Sequence, residues 1–266
     1  MVAMGRLAGH RIVRRYLDGQ SPGSERDRRK IHLVSYPRSG STLLRRYLSI
    51  LQGRPQKSRY PEDVVDAQLP ALTRELDRLE IVKTHQLPVD DRDLVYLVRD
   101  GRNASLSFIY MTFLSGGHRL FRLEEAYEAL RELDRREGSW GEHVGSILQE
   151  AGRRRTLILR YEDLLATPAA AIARLAEFLD CDVNSETIAD CLELERLSTR
   201  YAENPFNGYL YDPPPGSIYE LLKRHRRDDY WRHIFDARCK RHFHERGGTA
   251  GLVHFGYEGS PDWWRD

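Results

Sequence analysis

Hydrophobic and polar positions follow two rhythms along this chain, one of period two or less and one of period 3.6. Residues 31–36 (Ile-His-Leu-Val-Ser-Tyr) form a short apolar run closed by Pro37, which predicts a buried strand. Residues 41–51 then place Leu43, Leu44, Tyr47, Leu48 and Leu51 at helical spacing. Two more short runs, 81–84 and 94–98, predict strands, and residues 103–113 and 123–136 predict helices. A fourth strand is expected at 156–161. A helix is expected at 168–179, with Pro168 near the first turn, where a missing N–H costs nothing. Short buried strands alternating with helices predict an α/β fold: a parallel β-sheet flanked by helices on both faces. Ligands of such sheets bind at the carboxyl ends of the strands. The chemistry is therefore sought just after residues 36, 84, 98 and 161.

Composition narrows the class. The chain has 266 residues, and Lys+Arg 42 against Asp+Glu 40 gives a net charge of +2. That balance does not suit a nucleic-acid coat. Three cysteines (Cys181, Cys191, Cys239) make no disulfide framework, which points to a reducing, cytoplasmic setting. No run of about 18 apolar residues is present, so no integral membrane segment is expected. Residues 1–30 hold eight cations and three anions and lack an apolar stretch, so they read as a solvated basic leader rather than a secretory signal. The remainder, 31–266, is expected to be one domain.

The first strand runs into Tyr36-Pro37-Arg38-Ser39-Gly40-Ser41-Thr42-Leu43. A loop of small residues opening a helix turns backbone N–H groups toward an anion, and the helix dipole assists. Ser41 and Thr42 add hydroxyls, and Arg38 adds a permanent cation. The nucleotide triphosphatase pattern is not met: aligned on Gly40, Ser35 stands at its first glycine and Ser41 at its lysine. A Ser/Gly turn joining a strand to a helix has the same composition.

Lys83-Thr84-His85 closes the second predicted strand. A lone histidine is usually a satisfied polar residue, but this one lies where the ligand belongs, and an imidazole of pKa ~6.5 is a suitable general base. The third strand leads into Arg99, with Ser107 about two turns into the following helix. A guanidinium fork and a hydroxyl so placed are suited to one anion. An ion pair of Arg99 with Asp100 is the plainer alternative.

Taken together, these segments resemble the sulfotransferases that use 3′-phosphoadenosine 5′-phosphosulfate (PAPS). Tyr36 to Thr42 looks like their 5′-phosphosulfate loop. Lys83-Thr84-His85, with Leu87-Pro88 beyond an inserted Gln86, looks like their Lys-Thr-His-Leu-Pro segment. Val95 to Phe108 looks like their 3′-phosphate segment, with Arg99 and Ser107 spaced as in the family. Arg160-Tyr161-Glu162-Asp163-Leu164 matches a segment whose tyrosine faces the adenine. Leu43 stands where many members carry Trp, and Leu194 is expected to add apolar contact. Arg38 stands where Lys is common. Toward the C-terminus, Arg224-His225-Arg226 precedes Trp231 at a spacing compatible with the family's Arg-Lys-Gly lid, without its glycines.

The resemblance implies a P-loop-like fold, a cofactor core over about 31–180, and an acceptor or lid region over about 190–245. It implies transfer of a sulfuryl group from PAPS to a hydroxyl or amine of a small-molecule, lipid or glycoside acceptor, releasing adenosine 3′,5′-bisphosphate and needing no metal. The catalytic set would be His85, Lys83 and Arg38. The cofactor would lie on Arg38, Ser39, Gly40, Ser41, Thr42, Leu43, Arg99, Ser107, Tyr161, Leu194 and Arg224. A P-loop small-molecule kinase using ATP is the alternative, with Asp100 as its one candidate magnesium ligand. Cys239, His242 and His244 lack zinc spacing and read as a polar helix face.

Overall fold

In the computed structural model, residues 28–53, 57–58, 72–73, 76–115, 125–201 and 230–265 are described. The chain divides by packing into two compact units: Met1–Ser35, Gly40–Leu97 and Arg154–Asn204 form the first, and Tyr36–Ser39, Val98–Arg153 and Pro205–Asp266 the second.

The sheet contains β1 (Arg29–Ser35), β2 (Lys57–Ser58), β3 (Leu79–Thr84), β4 (Leu94–Val98) and β5 (Thr156–Arg160), in the order β2-β3-β1-β4-β5. β1 pairs in parallel with both β3 and β4, and β2 with β3. The chain thus steps to one side of β1 for β3 and to the other for β4, which makes the carboxyl end of β1 a switch point. Register keeps the ends level: Val34 lies opposite Thr84, and Ser35 opposite Leu97. Every residue of β4 is buried, as a strand covered on both faces requires.

Around this sheet the first unit carries α1 (Ser41–Gln52). In the second unit lie α2 (Gly101–Ser115), α3 (Ala126–Glu137) and α4 (Trp140–Ala151). The first unit resumes with α5 (Tyr161–Ala166), α6 (Pro168–Phe178) and α7 (Ser185–Tyr201). α8 (Ala237–Glu245), α9 (Gly248–His254) and two 3-10 turns, Tyr230–His233 and Trp263–Arg265, complete the second.

The first unit's core joins Ile31, Leu33, Leu44, Leu48, Leu97, Leu159, Ile172 and Leu175. The second unit's core is aromatic. Trp140 stacks on Phe243 at 5.7 Å, and Trp231 meets Trp263 edge-on at 5.7 Å. Glycine makes this closeness possible: a Cβ on Gly101 or Gly251 would fall inside the Trp140 ring.

The predicted strands and helices are all present, with boundaries shifted by a few residues. One assignment changes: Tyr161, expected at a strand end, is the first residue of α5. Helices α4, α7 and α9 were not anticipated, although Ser139 and Glu142 form a full capping box at the start of α4, a pattern readable in sequence.

Candidate active site

The loop after β1 carries two left-handed residues, Arg38 (φ 67) and Gly40 (φ 91), on either side of Ser39. Left-handed residues are characteristic of loops whose N–H groups turn toward an anion. A non-glycine residue in this region costs about 1–2 kcal/mol, and such strain concentrates at functional sites. Gly40 is the N-cap of α1 and its carbonyl accepts from Leu43 N–H at 3.0 Å. The N–H groups of Ser41 and Thr42 thus precede the first helical hydrogen bonds, pointing out of the helix start. Ser39 is fully buried, and its Oγ has no hydrogen-bond partner among the described residues. Gly40 is also required sterically, because a Cβ there would enter the Tyr161 ring.

In the first unit, His85 follows β3 and is held at both ring nitrogens. Nδ1 lies 2.8 Å from the Ser35 carbonyl oxygen, and Nε2 lies 2.7 Å from Lys83 Nζ. A carbonyl only accepts, so Nδ1 carries the proton and donates; Nε2 then presents a lone pair, which accepts from the Lys83 ammonium. Parallel register produces this arrangement, since His85 continues β3 one step past the Val34–Thr84 pair and lands beside Ser35. Lys83 is 4% exposed, so its ammonium is largely desolvated.

In the second unit, Arg38 Nε donates to Ser107 Oγ at 3.2 Å, and Arg99 NH1 donates to the Arg38 carbonyl at 3.1 Å. Arg38, Arg99 and Ser107 are therefore linked in one hydrogen-bonded group. Asp100, the carboxylate of the expected alternative pair with Arg99, meets Arg102. Asp100 is bound bidentately by Arg102, with Nε to Oδ1 at 3.0 Å and NH2 to Oδ2 at 2.6 Å. Its buried carboxylate is thereby paired with an arginine.

Leu194 is buried in the first unit's core, and Leu43 packs against the same cluster. Arg224 lies outside the described residues. The Cys239, His242 and His244 face is accounted for: Cys239 is buried, His242 Nε2 meets Asp134 Oδ2 at 3.0 Å, and His244 Nδ1 meets Thr249 Oγ1 at 3.0 Å. Among the described residues, no group of three or more His, Cys, Asp or Glu is placed to hold a metal ion, and no helix is long and apolar enough to cross a membrane.

The sulfotransferase-domain family profile matches residues 28–246, the stretch that contains both clusters. The chain belongs to the sulfotransferase family. Mouse sulfotransferase 1B1 is 25% identical over 207 residues, covering 69% of each chain, and human sulfotransferase 1E1 is 26% identical over 203 residues, covering 68% of this chain and 69% of its own. The crystal structure of mouse sulfotransferase SULT7A1 complexed with PAP superimposes with a TM-score of 0.57 at 20% identity, over 87% of this chain and 86% of that one. Retinol dehydratase in complex with androsterone and PAP gives 0.51 at 17% identity, over 91% and 84%. These likenesses establish the α/β sulfotransferase fold, and membership makes the chain an enzyme of PAPS-dependent sulfuryl transfer.

Proposed function

We propose that this sulfotransferase transfers the sulfuryl group of PAPS to a hydroxyl or amine of a small-molecule acceptor, with His85 as general base and no metal ion. The observation that carries the base assignment is the doubly held imidazole, protonated at Nδ1 toward Ser35 and accepting from Lys83 at Nε2. The residues present also fit a doubly phosphorylated nucleotide. In the second unit the orphaned Ser39 Oγ and the Arg38, Arg99 and Ser107 donors suit an anion, and in the first the outward N–H groups of Ser41 and Thr42 suit one as well.

When bound, PAPS supplies an activated sulfuryl group and a stable leaving nucleotide. The chain's own residues supply position and charge, as in phosphoryl transfer through a loose transition state. Arg38 and the loop N–H groups hold the 5′ side, and Arg99 with Ser107 and Arg224 hold the 3′-phosphate. Tyr161, Leu43 and Leu194 line the adenine. Lys83 turns from Nε2 toward the leaving 5′-phosphate, neutralises the charge that develops there, and so exposes the His85 lone pair. His85 then takes the acceptor's proton, a contribution of ~10²–10⁴-fold. Residues from about 190 to 245 form the acceptor and lid region, 1–30 a basic leader, and the enzyme acts in the cytoplasm.

Incubation with [³⁵S]PAPS and a panel of phenols, alcohols, lipids, glycosides and amines tests the reading. Label is expected on at least one acceptor without added magnesium; label transfer from [γ-³²P]ATP instead would replace it with the kinase reading.

A further inference from the structure

β3 ends at Thr84, β4 begins at Leu94, and β1 lies between them in the sheet. The chain must therefore cross β1 within residues 85–93. Parallel strands are usually joined by about a dozen residues or more, commonly including a helix. This shorter connection takes neither helix nor strand, and its first residue is His85. Of the stretch, only Pro88 is buried, and Val89 is fully exposed. Apolar packing therefore does little to set its course.

Hydrogen bonds set it instead. At the carboxyl end of β1, His85 Nδ1 donates to the Ser35 carbonyl at 2.8 Å. Further along, Asp90 Oδ1 lies 2.8 Å from Nε2 of His32, a β1 residue only 2% exposed. A carboxylate accepts, so this ring nitrogen donates. Before β4, the backbone N–H of His32 donates to the Asp93 carbonyl at 3.0 Å. Arg154, just ahead of β5, donates NH1 to the Asp90 carbonyl and NH2 to the Pro88 carbonyl, the latter at 3.3 Å. Arg92 meets the Asp90 carboxylate at 3.2 Å. All these residues belong to the first unit. Two separate holds meet on Asp90: its side chain is fixed to β1, and its backbone to the chain entering β5.

We propose that Asp90 is a positioning residue for His85, resting on the reading of His85 as the general base. It fixes the path of 85–93 across β1, and with it the seat of the imidazole against Ser35 and Lys83. Asp90 touches no reacting atom. It acts because a base must stand within hydrogen-bond reach of the proton it takes, and a misplacement of ~1 Å costs up to ~10²-fold.

The test compares wild type, Asp90→Ala, Asp90→Asn, His85→Ala and the double variant His85→Ala/Asp90→Ala, with an acceptor labelled in the PAPS panel and melting curves alongside. Asp90→Ala is expected to lower kcat about ten-fold, while affinity for adenosine 3′,5′-bisphosphate stays within about two-fold. Asp90→Asn keeps an oxygen for His32 and is expected to restore kcat to within about two-fold of wild type. In the His85→Ala background the Asp90→Ala change is expected to alter kcat less than about two-fold, since the group it positions is gone. Nitrogen-15 spectra of the histidine rings give a readout without turnover: His85 is expected as the Nδ1–H tautomer in wild type and as a mixture in Asp90→Ala. If His85→Ala turns over too slowly for the cycle, these spectra decide. If Asp90→Ala does not fold, Asp90→Ser is read in the same way. Wild-type kcat or an unchanged His85 spectrum in the folded Asp90 variant overturns the proposal. So does a loss of the same size with and without His85, which would make the tie merely structural. A His85→Ala enzyme as fast as wild type instead overturns the base reading, and this proposal with it.

Discussion

The two clusters of the site hold their cations in different ways. In the first unit, the Lys83 ammonium caps a ring nitrogen of His85, the atom with a lone pair for a proton. In the second, the arginines Arg38 and Arg99 donate to a serine hydroxyl and a backbone carbonyl. A phosphate would offer the same guanidinium groups an ionised, bidentate acceptor, the geometry arginine suits best. Arg102, on two carboxylates, is the contrasting case: it is already spent, and it builds the frame rather than the binding surface. In the proposed mechanism the first cluster serves a proton transfer and the second an anion.

That division is sharpest at His85. His85→Ala is expected to lower kcat by about 10²–10⁴-fold, the usual worth of a general base, while calorimetric affinity for adenosine 3′,5′-bisphosphate stays within about two-fold. Equal losses in both would merge the two clusters into one function. Arg99→Ala is expected to do the reverse. It removes a fork of charged donors, and charge-assisted bonds of this kind contribute about 1.5–3 kcal/mol, so the bisphosphate is expected to weaken by at least ten-fold, ~1.4 kcal/mol, and adenosine 5′-phosphate far less. Equal weakening of both nucleotides would take Arg99 out of the 3′-phosphate role.

A third arginine cluster sets the scale of a purely structural pair. Asp180 receives Arg155 at 2.8 Å and Arg29 at 2.8 Å on the surface of the first unit. Hydrogen bonds from Arg155, then Arg29, hold its carboxyl well below the usual range. A depressed carboxylate stabilises the fold above its unfolded pKa of ~3.9, and that contribution is lost as pH falls through the folded value. Asp180→Asn is therefore expected to lower the melting temperature slightly at pH 7, less in high salt, and not at all in strong acid. Activity is expected to be unchanged; a loss of activity would show that exposed arginine pairs also feed the site.

Much of this was legible in the residues. The apolar runs at 31–36 and 94–98 are buried strands because a parallel sheet covered on both faces tolerates no polar alternation. Lys83 and His85 were readable as a pair because strand register places them at one sheet end. What was not legible depends on contacts far apart in sequence. Nothing near Arg102 announces Trp231 and Trp263 as its stacking partners. Nothing near Gly40 announces the Tyr161 ring beneath it.

The most direct measurement is the affinity of the wild-type enzyme for adenosine 3′,5′-bisphosphate against ATP, by calorimetry without magnesium. Tight, saturable binding of the bisphosphate, with ATP weaker by an order of magnitude or more, is the expected result. Equal affinity, or a preference for ATP that magnesium restores, would contradict it.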